Sequence, residues 1–137
     1  MTNEFPEIDS IGSIGFCYGA WVGLFQARTN LFPGIKATAA CHPSYQVEDN
    51  QGRSLVDLLE QVETPMFICP AGDDRDDYKE GGMVETTVEA NGYDVEVLEF
   101  PDMNHGWVPR GDTTIPDVNR DTKLAIEGFM KFFEETL

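Results

Sequence analysis

Positive charge is what this sequence has least of: 9 lysines and arginines stand against 25 aspartates and glutamates, a formal net charge of −16 over 137 residues. Phosphate backbones are held by the opposite sign, so nucleic acid is not an expected partner, and the acidity reads as a well-solvated surface. Cysteine is sparse too. Cys17, Cys41 and Cys69 are odd in number and widely spaced, unlike a disulfide framework, so reduced thiols in a cytoplasmic compartment are expected. No apolar run approaches the ~18 residues of a membrane span, and the opening MTNEFPEIDS lacks the apolar stretch of a signal peptide. Neither an internal repeat nor a low-complexity segment is visible. What is present is a 41% share of hydrophobic residues, enough for a core, in a length that fits a single domain over residues 1–137.

The apolar pattern alternates strand and helix. Ile8–Phe16 reads as a short strand, Tyr18–Thr29 as an apolar helix ended by Pro33 and Gly34, and Ile35–Cys41 as a second strand. Pro43–Arg53 reads as a loop and Ser54–Val62 as a helix, with Leu55, Leu58, Leu59 and Val62 at helical spacing. Pro65–Cys69 is a third strand. Lys79–Asn91 is predicted helical and closed by Gly92, the residue type that most readily takes left-handed backbone after a helix. Tyr93–Phe100 alternates apolar and acidic residues and makes the clearest strand. Residues 101–118 form a long loop, and Asn119–Thr136 the closing helix, with Leu124, Phe129, Phe132 and Phe133 on its apolar side. This order predicts an α/β fold of about four parallel strands with helices on both faces.

Ligands of such sheets bind beyond the C-terminal ends of the strands. There the sequence places Cys17, then Cys41-His42, then the acids Asp73, Asp74, Asp76 and Asp77, then a loop carrying His105. Gly15-Phe16-Cys17-Tyr18-Gly19 is the thiol form of the nucleophile elbow, a strained strand-to-helix turn. Residues two before and two after the nucleophile approach each other there, which accounts for the glycines. The Tyr18 amide then opens a helix, where it can donate to an oxyanion, and the helix terminus favours thiolate at Cys17. His105 reads as general base and acid. Asp74 is the preferred acid to orient it, with Asp76 second.

Other residues have plainer readings. Cys41 and Cys69 read as small buried hydrophobes. His42, Tyr45 and Trp107 are candidate pocket walls; equally, His42 can hold loop backbone and the two aromatics can cap the core. A zinc site from Cys41, His42, Cys69 and His105 lacks the close paired spacing of structural zinc, so neither a metal nor an organic cofactor is expected. Arg110 and Asp112 read as an ion pair bracing the histidine loop.

Four segments carry a resemblance: IGFCYGA at Ile14–Ala20, CHPS at Cys41–Ser44, PMFICPAGDD at Pro65–Asp74, and HGWVPRGD at His105–Asp112 before a final helix. In this order they resemble the dienelactone hydrolase family, a branch of the α/β-hydrolases with a cysteine nucleophile. The resemblance implies a Cys17, Asp74, His105 triad acting on a small ester or lactone. It also implies strands and helices ahead of the elbow, with the loop for a second oxyanion amide and an acidic residue that helps activate the cysteine. The chain then corresponds to the C-terminal half of the fold, a partial α/β-hydrolase. Its strands are expected in the order 1-2-3-4 with the elbow strand on an edge, open to a second copy or a companion chain. Two other functions stay open: a weak or inactive remnant serving as subunit or binding module, and a thiol-redox sensor at Cys17.

Overall fold

Three short runs of apolar and small residues and one alternating stretch become four parallel strands, β1 (Ile11–Phe16), β2 (Ile35–Cys41), β3 (Met66–Cys69) and β4 (Val95–Val97), hydrogen-bonded in the order β1-β2-β3-β4. The structure, a computed structural model, describes residues 7–28 and 30–137. Helix α1 (Tyr18–Gln26) links β1 to β2; α2 (Val47–Asn50) and α3 (Leu55–Leu59) link β2 to β3; α4 (Met83–Ala90) links β3 to β4. Two helices follow the sheet, α5 (Trp107–Arg110) and α6 (Pro116–Thr136).

Side chains alternate across each strand, so the sheet has two cores. On one face Ala40, Met66, Ile68 and Val95 pack against Leu24 of α1, Leu55 and Leu59 of α3, and Val84 and Val88 of α4. On the other, Ala37, Ala39, Cys41, Phe67 and Cys69 pack against Trp107 of α5 and Ala125, Phe129 and Phe132 of α6. Burial on both faces explains why β2 reads as small and apolar rather than alternating. Leu124 stands outside this stripe and is exposed, a correction to the expected apolar side of α6.

The boundaries shift where pairing or turns decide them. β1 starts at Ile11, not Ile8, because its register with β2 begins at the Ile11–Ile35 pair. Helix α1 ends at Gln26; the predicted end, Thr29, lies outside the described residues, as do residues 1–6. The expected loop Pro43–Arg53 contains α2. Helix α4 is shorter than Lys79–Asn91 because a 3₁₀ turn at Asp76–Tyr78 and Gly81, at φ +75°, bend the chain first. Gly92 does follow the helix end at φ +95°. β4 is confined to the stretch opposite β3, with a separate bridge between Ala71 and Phe100. Helix α6 begins at Pro116, ahead of Asn119, since a proline in the first turn forfeits no intrahelical hydrogen bond.

Among the described residues, β1 pairs only with β2, leaving its other edge without a strand. No helix among them is long and apolar enough to cross a membrane.

One buried charge ties the first helical layer together. The Glu48 carboxylate accepts from Trp21 Nε1 at 2.8 Å and from Arg53 at 2.8 and 3.1 Å. The Arg53 bonds, and secondarily Trp21, hold its pKa down despite burial. Glu48→Ala should lower stability by about 2 kcal/mol, because it strands the indole N–H and removes a charged acceptor. Urea unfolding reads this, and an unchanged midpoint would show that the network contributes nothing.

Candidate active site at the strand ends

β1 ends at Phe16 and α1 begins at Tyr18, so Cys17 alone must turn the chain between them. It does so at φ 51° and ψ −120°, on the side of backbone space that is strained for any residue with a Cβ. The strain is held by neighbours. The Cys17 N–H donates to the Cys41 carbonyl at 3.2 Å, and its own carbonyl accepts from Ala20 at 3.1 Å and Ser44 at 3.0 Å. A Cβ on Gly15 would strike the Gly19 carbonyl and lie 2.5 Å from the Ala20 nitrogen. At Gly19 a Cβ would meet nothing within 4 Å. The turn therefore needs the first glycine on steric grounds and not the second, a correction to the symmetric reading of the motif. The Tyr18 amide is the first of α1 and has no intrahelical acceptor; its side chain is exposed.

The next strand delivers His42, whose N–H donates to the Cys69 carbonyl at 2.8 Å and whose φ is 36°. That backbone turn brings His42 Nδ1 to 3.2 Å from Cys17 Sγ. Beyond β3, Asp74 Oδ2 accepts the Ala71 N–H at 2.7 Å, and Oδ1 lies 2.7 Å from His105 Nδ1. Asp73 accepts the backbone N–H of His105, also at 2.7 Å. Two adjacent aspartates thus grip one residue, one by its main chain and one by its ring. Asp76 points to solvent and pairs with Lys79 at 3.2 Å. His105 Nε2 lies 3.4 Å from Ser44 Oγ, and Arg110 of α5 brings Nη2 to 4.0 Å from Cys17 Sγ. Cys17 Sγ and one ring nitrogen from each of His42 and His105 lie within 4.8 Å of one another.

Burial pushes the Cys17 thiol above its ordinary pKa, Arg110 opposes the shift, and Asp74 reinforces it. The net direction is toward the protonated thiol, opposite to the bias expected from the helix terminus. His42 is fully buried. Its pKa falls to about 4, mainly through burial and then through the charges of His105 and Arg110. It is a neutral imidazole whose Nε2 has no hydrogen-bond partner among the described residues.

A pH effect on stability follows. Unfolded His42 takes a proton near its ordinary pKa of about 6.5, whereas the folded ring refuses it down to about 4. Its contribution is complete above the unfolded value and is lost as pH falls through that window, by up to ~1.4 kcal/mol per pH unit. Urea midpoints between pH 5 and 7 should fall on acidification, and His42→Gln should flatten the slope. Equal slopes would contradict the assignment.

The remaining candidates divide. Trp107 is buried and sets its ring 5.2 Å from that of His42 and 4.9 Å from that of Phe100. It lines an open cleft of about 260 Å³ with His105, Arg110 and Val118. A second hollow of about 380 Å³, lined by Gln46, Asp74 and Tyr78, also reaches His105. Tyr45 is no pocket wall: it is fully buried against Tyr78, ring centroids 5.2 Å apart, in the core of the α1 face. Cys41 and Cys69 are buried, free and opposite each other across β2 and β3, and neither stands in the Cys17, His42 and His105 group. The Arg110–Asp112 brace is not formed either. Asp112 instead accepts from the Thr114 N–H at 3.0 Å and hydroxyl at 2.6 Å, while Arg110 turns to the thiol. Sequence reasoning missed the contacts of His42, Ser44 and Arg110 with this site, although CHPS and PRGD flagged their segments.

A parallel sheet flanked by helices, with a strained turn from strand into helix, is the architecture of the α/β-hydrolases. The fold is similar to that of the acylaminoacyl peptidase of Pyrococcus horikoshii, with a TM-score of 0.72 at 18% identity over 99% of this chain and 25% of that one. It is similar also to a protein of Klebsiella pneumoniae assigned as a dienelactone hydrolase, with a TM-score of 0.57 at 14% identity over 90% of this chain and 50% of that one. At these identities the likeness is one of fold. The chain belongs to the dienelactone hydrolase family, whose sequence model matches residues 1–137. An uncharacterised AIM2-family protein of Schizosaccharomyces pombe is 30% identical over 137 residues, 98% of this chain. The chain spans about half the length of that curated relative, 50%.

Proposed function

We propose that this chain carries the cysteine-hydrolase machinery for a small ester or lactone, with Cys17 as nucleophile, His105 as base and acid, and Asp74 orienting the imidazole. The observation that supports it best is the 2.7 Å Asp74–His105 contact beside Cys17 on one sheet edge. With Nδ1–H donated to Asp74, Nε2 is the acceptor nitrogen, and it exchanges its 3.4 Å contact with the Ser44 hydroxyl for the thiol proton. Sγ then attacks the carbonyl carbon, and the electrons of the double bond move onto oxygen, which the Tyr18 amide would stabilise. Collapse expels the alkoxide, which takes the proton from His105. Water, deprotonated by His105, next cleaves the thioester, releasing the acid and restoring the thiol. His42 is the poorer base: it is buried and its low pKa disfavours the proton. Arg110, at 4.0 Å, offers charge to a developing thiolate.

Denaturing the chain during turnover of p-nitrophenyl acetate should trap an acetyl group on the Cys17 peptide. Acetyl elsewhere, or none despite turnover, would reject the mechanism. The unbonded pair Cys41 and Cys69 fits a reducing, cytoplasmic setting.

A second reading, a weak or inactive subunit whose sheet edge takes a second copy or companion chain, is favoured by the open edge of β1. Lack of one oxyanion donor lowers rates by ~10²–10³. A folded chain that neither acylates nor turns over, and runs as a dimer in light scattering, would support this reading over the first.

A further inference from the structure

Three elements far apart in sequence each end in a soft or borderline metal ligand at this edge: Cys17 after β1, His42 after β2, and His105 in the loop after β4. One thiolate and two imidazoles form the donor set that suits Zn²⁺. Tetrahedral bonds of ~2.3 Å to sulfur and ~2.0–2.1 Å to nitrogen set donors ~3.3–3.6 Å apart. Cys17 Sγ and His42 Nδ1, at 3.2 Å, already have close to that spacing, and His105 lies within 4.8 Å of both. His105 would have to close inward, away from Ser44.

The surroundings prepare these groups. His42 is fully buried, held by its main-chain bond to Cys69 and packed on Trp107, so its ring direction is set. Asp74 binds Nδ1 of His105, the carboxylate–histidine arrangement that orients zinc ligands, so Nε2 is the nitrogen that would exchange its 3.4 Å contact with Ser44 Oγ for a metal. The His105 side chain is 31% exposed, so the site opens to solvent on that side. Asp73 and Asp74 favour a cation there; Arg110, at 4.0 Å from Sγ, opposes it.

We propose that Cys17, His42 and His105 form a binding site for one zinc-class divalent cation, with solvent at the fourth position. On binding, the thiol proton leaves to solvent, a sulfur–metal bond forms, and the ion sheds water; nothing is oxidised or reduced. Occupancy ties up both the nucleophile and the base, so metal and ester exclude each other. That consequence rests on the hydrolase reading, whereas binding does not.

Anaerobic titration of the reduced full chain with Co²⁺ tests it. The expected result is one equivalent of four-coordinate cobalt, with intense visible bands and a near-ultraviolet thiolate charge-transfer band, both displaced by Zn²⁺. Cys17→Ser should abolish the charge-transfer band, and His42→Gln should weaken affinity ~100-fold or more while circular dichroism shows the fold intact. If His42→Gln does not fold, His105→Gln serves for the same comparison. Cobalt bound without a thiolate band is adsorption to an acidic surface and overturns the proposal. So does a band whose affinity is unchanged when the folded histidine variant replaces wild type. Acylation of Cys17 without the cobalt band would reject this site and keep the hydrolase; the cobalt band in a chain that never acylates would do the reverse.

Discussion

Cys17→Ala should leave the fold intact and lower turnover of short esters by ~10⁴-fold or more. Removing Sγ deletes the bond through which the acyl group is held, and a His105-activated water is a poor substitute without that intermediate. The fold should tolerate the change because alanine and cysteine meet the same restriction at φ 51°, and the hydrogen bonds that hold the turn are main-chain bonds. Cys17→Ser should recover little, since His105 must then deprotonate a far weaker acid than a thiol. Initial rates on p-nitrophenyl acetate, with circular dichroism as the folding control, make the measurement. Turnover within tenfold of wild type in folded Cys17→Ala would leave the chain a hydrolase by some other means, or not one.

Gly15→Ala and Gly19→Ala, two formally equivalent changes in one motif, should differ widely. The Gly15 Cβ collides with the Gly19 carbonyl and the Ala20 nitrogen, both main chain in the first turn of α1, which cannot rotate aside. Relief requires α1 to move away from β1, breaking the contacts that hold Cys17. We expect a loss of ~3 kcal/mol or more, at or beyond the upper range for overpacking, from a domain whose total stability is of order 5–15 kcal/mol. Gly19 is helical and opens on free space, so its alanine should be neutral or stabilising by up to ~1 kcal/mol. Urea midpoints of the two variants decide it, and equal effects would mean that the elbow is not the close-packed turn described.

The sheet was legible because β2 and β3 are short apolar runs, β1 a run of small and apolar residues and β4 part of an alternating stretch, each followed by a glycine, proline or acidic turn that marks the C-terminal edge. Ile35–Cys41 was readable to the residue for that reason. The short helices α2 and α5 were not, since few residues form a helix without tertiary contacts. Within the site, the segments were legible and several contacts were not. His42 meets Cys17 because Phe16 and Cys41 are paired across β1 and β2, so the residues that follow them leave the sheet side by side. No local pattern encodes that register. Arg110 illustrates the same limit: its sequence neighbour Asp112 suggested a pair, but the turn before α6 gave Asp112 to Thr114 and left the guanidinium free to reach the thiol.

The whole account depends on His105 serving Cys17 through space. The rate of Cys17 alkylation by iodoacetamide at neutral pH, compared between wild type and His105→Gln, measures this most directly, with buried Cys41 and Cys69 as unreactive internal controls. Loss of a positioned base predicts a drop of ~10²-fold or more in the variant; an unchanged rate would mean that the imidazole and the sulfur do not work together.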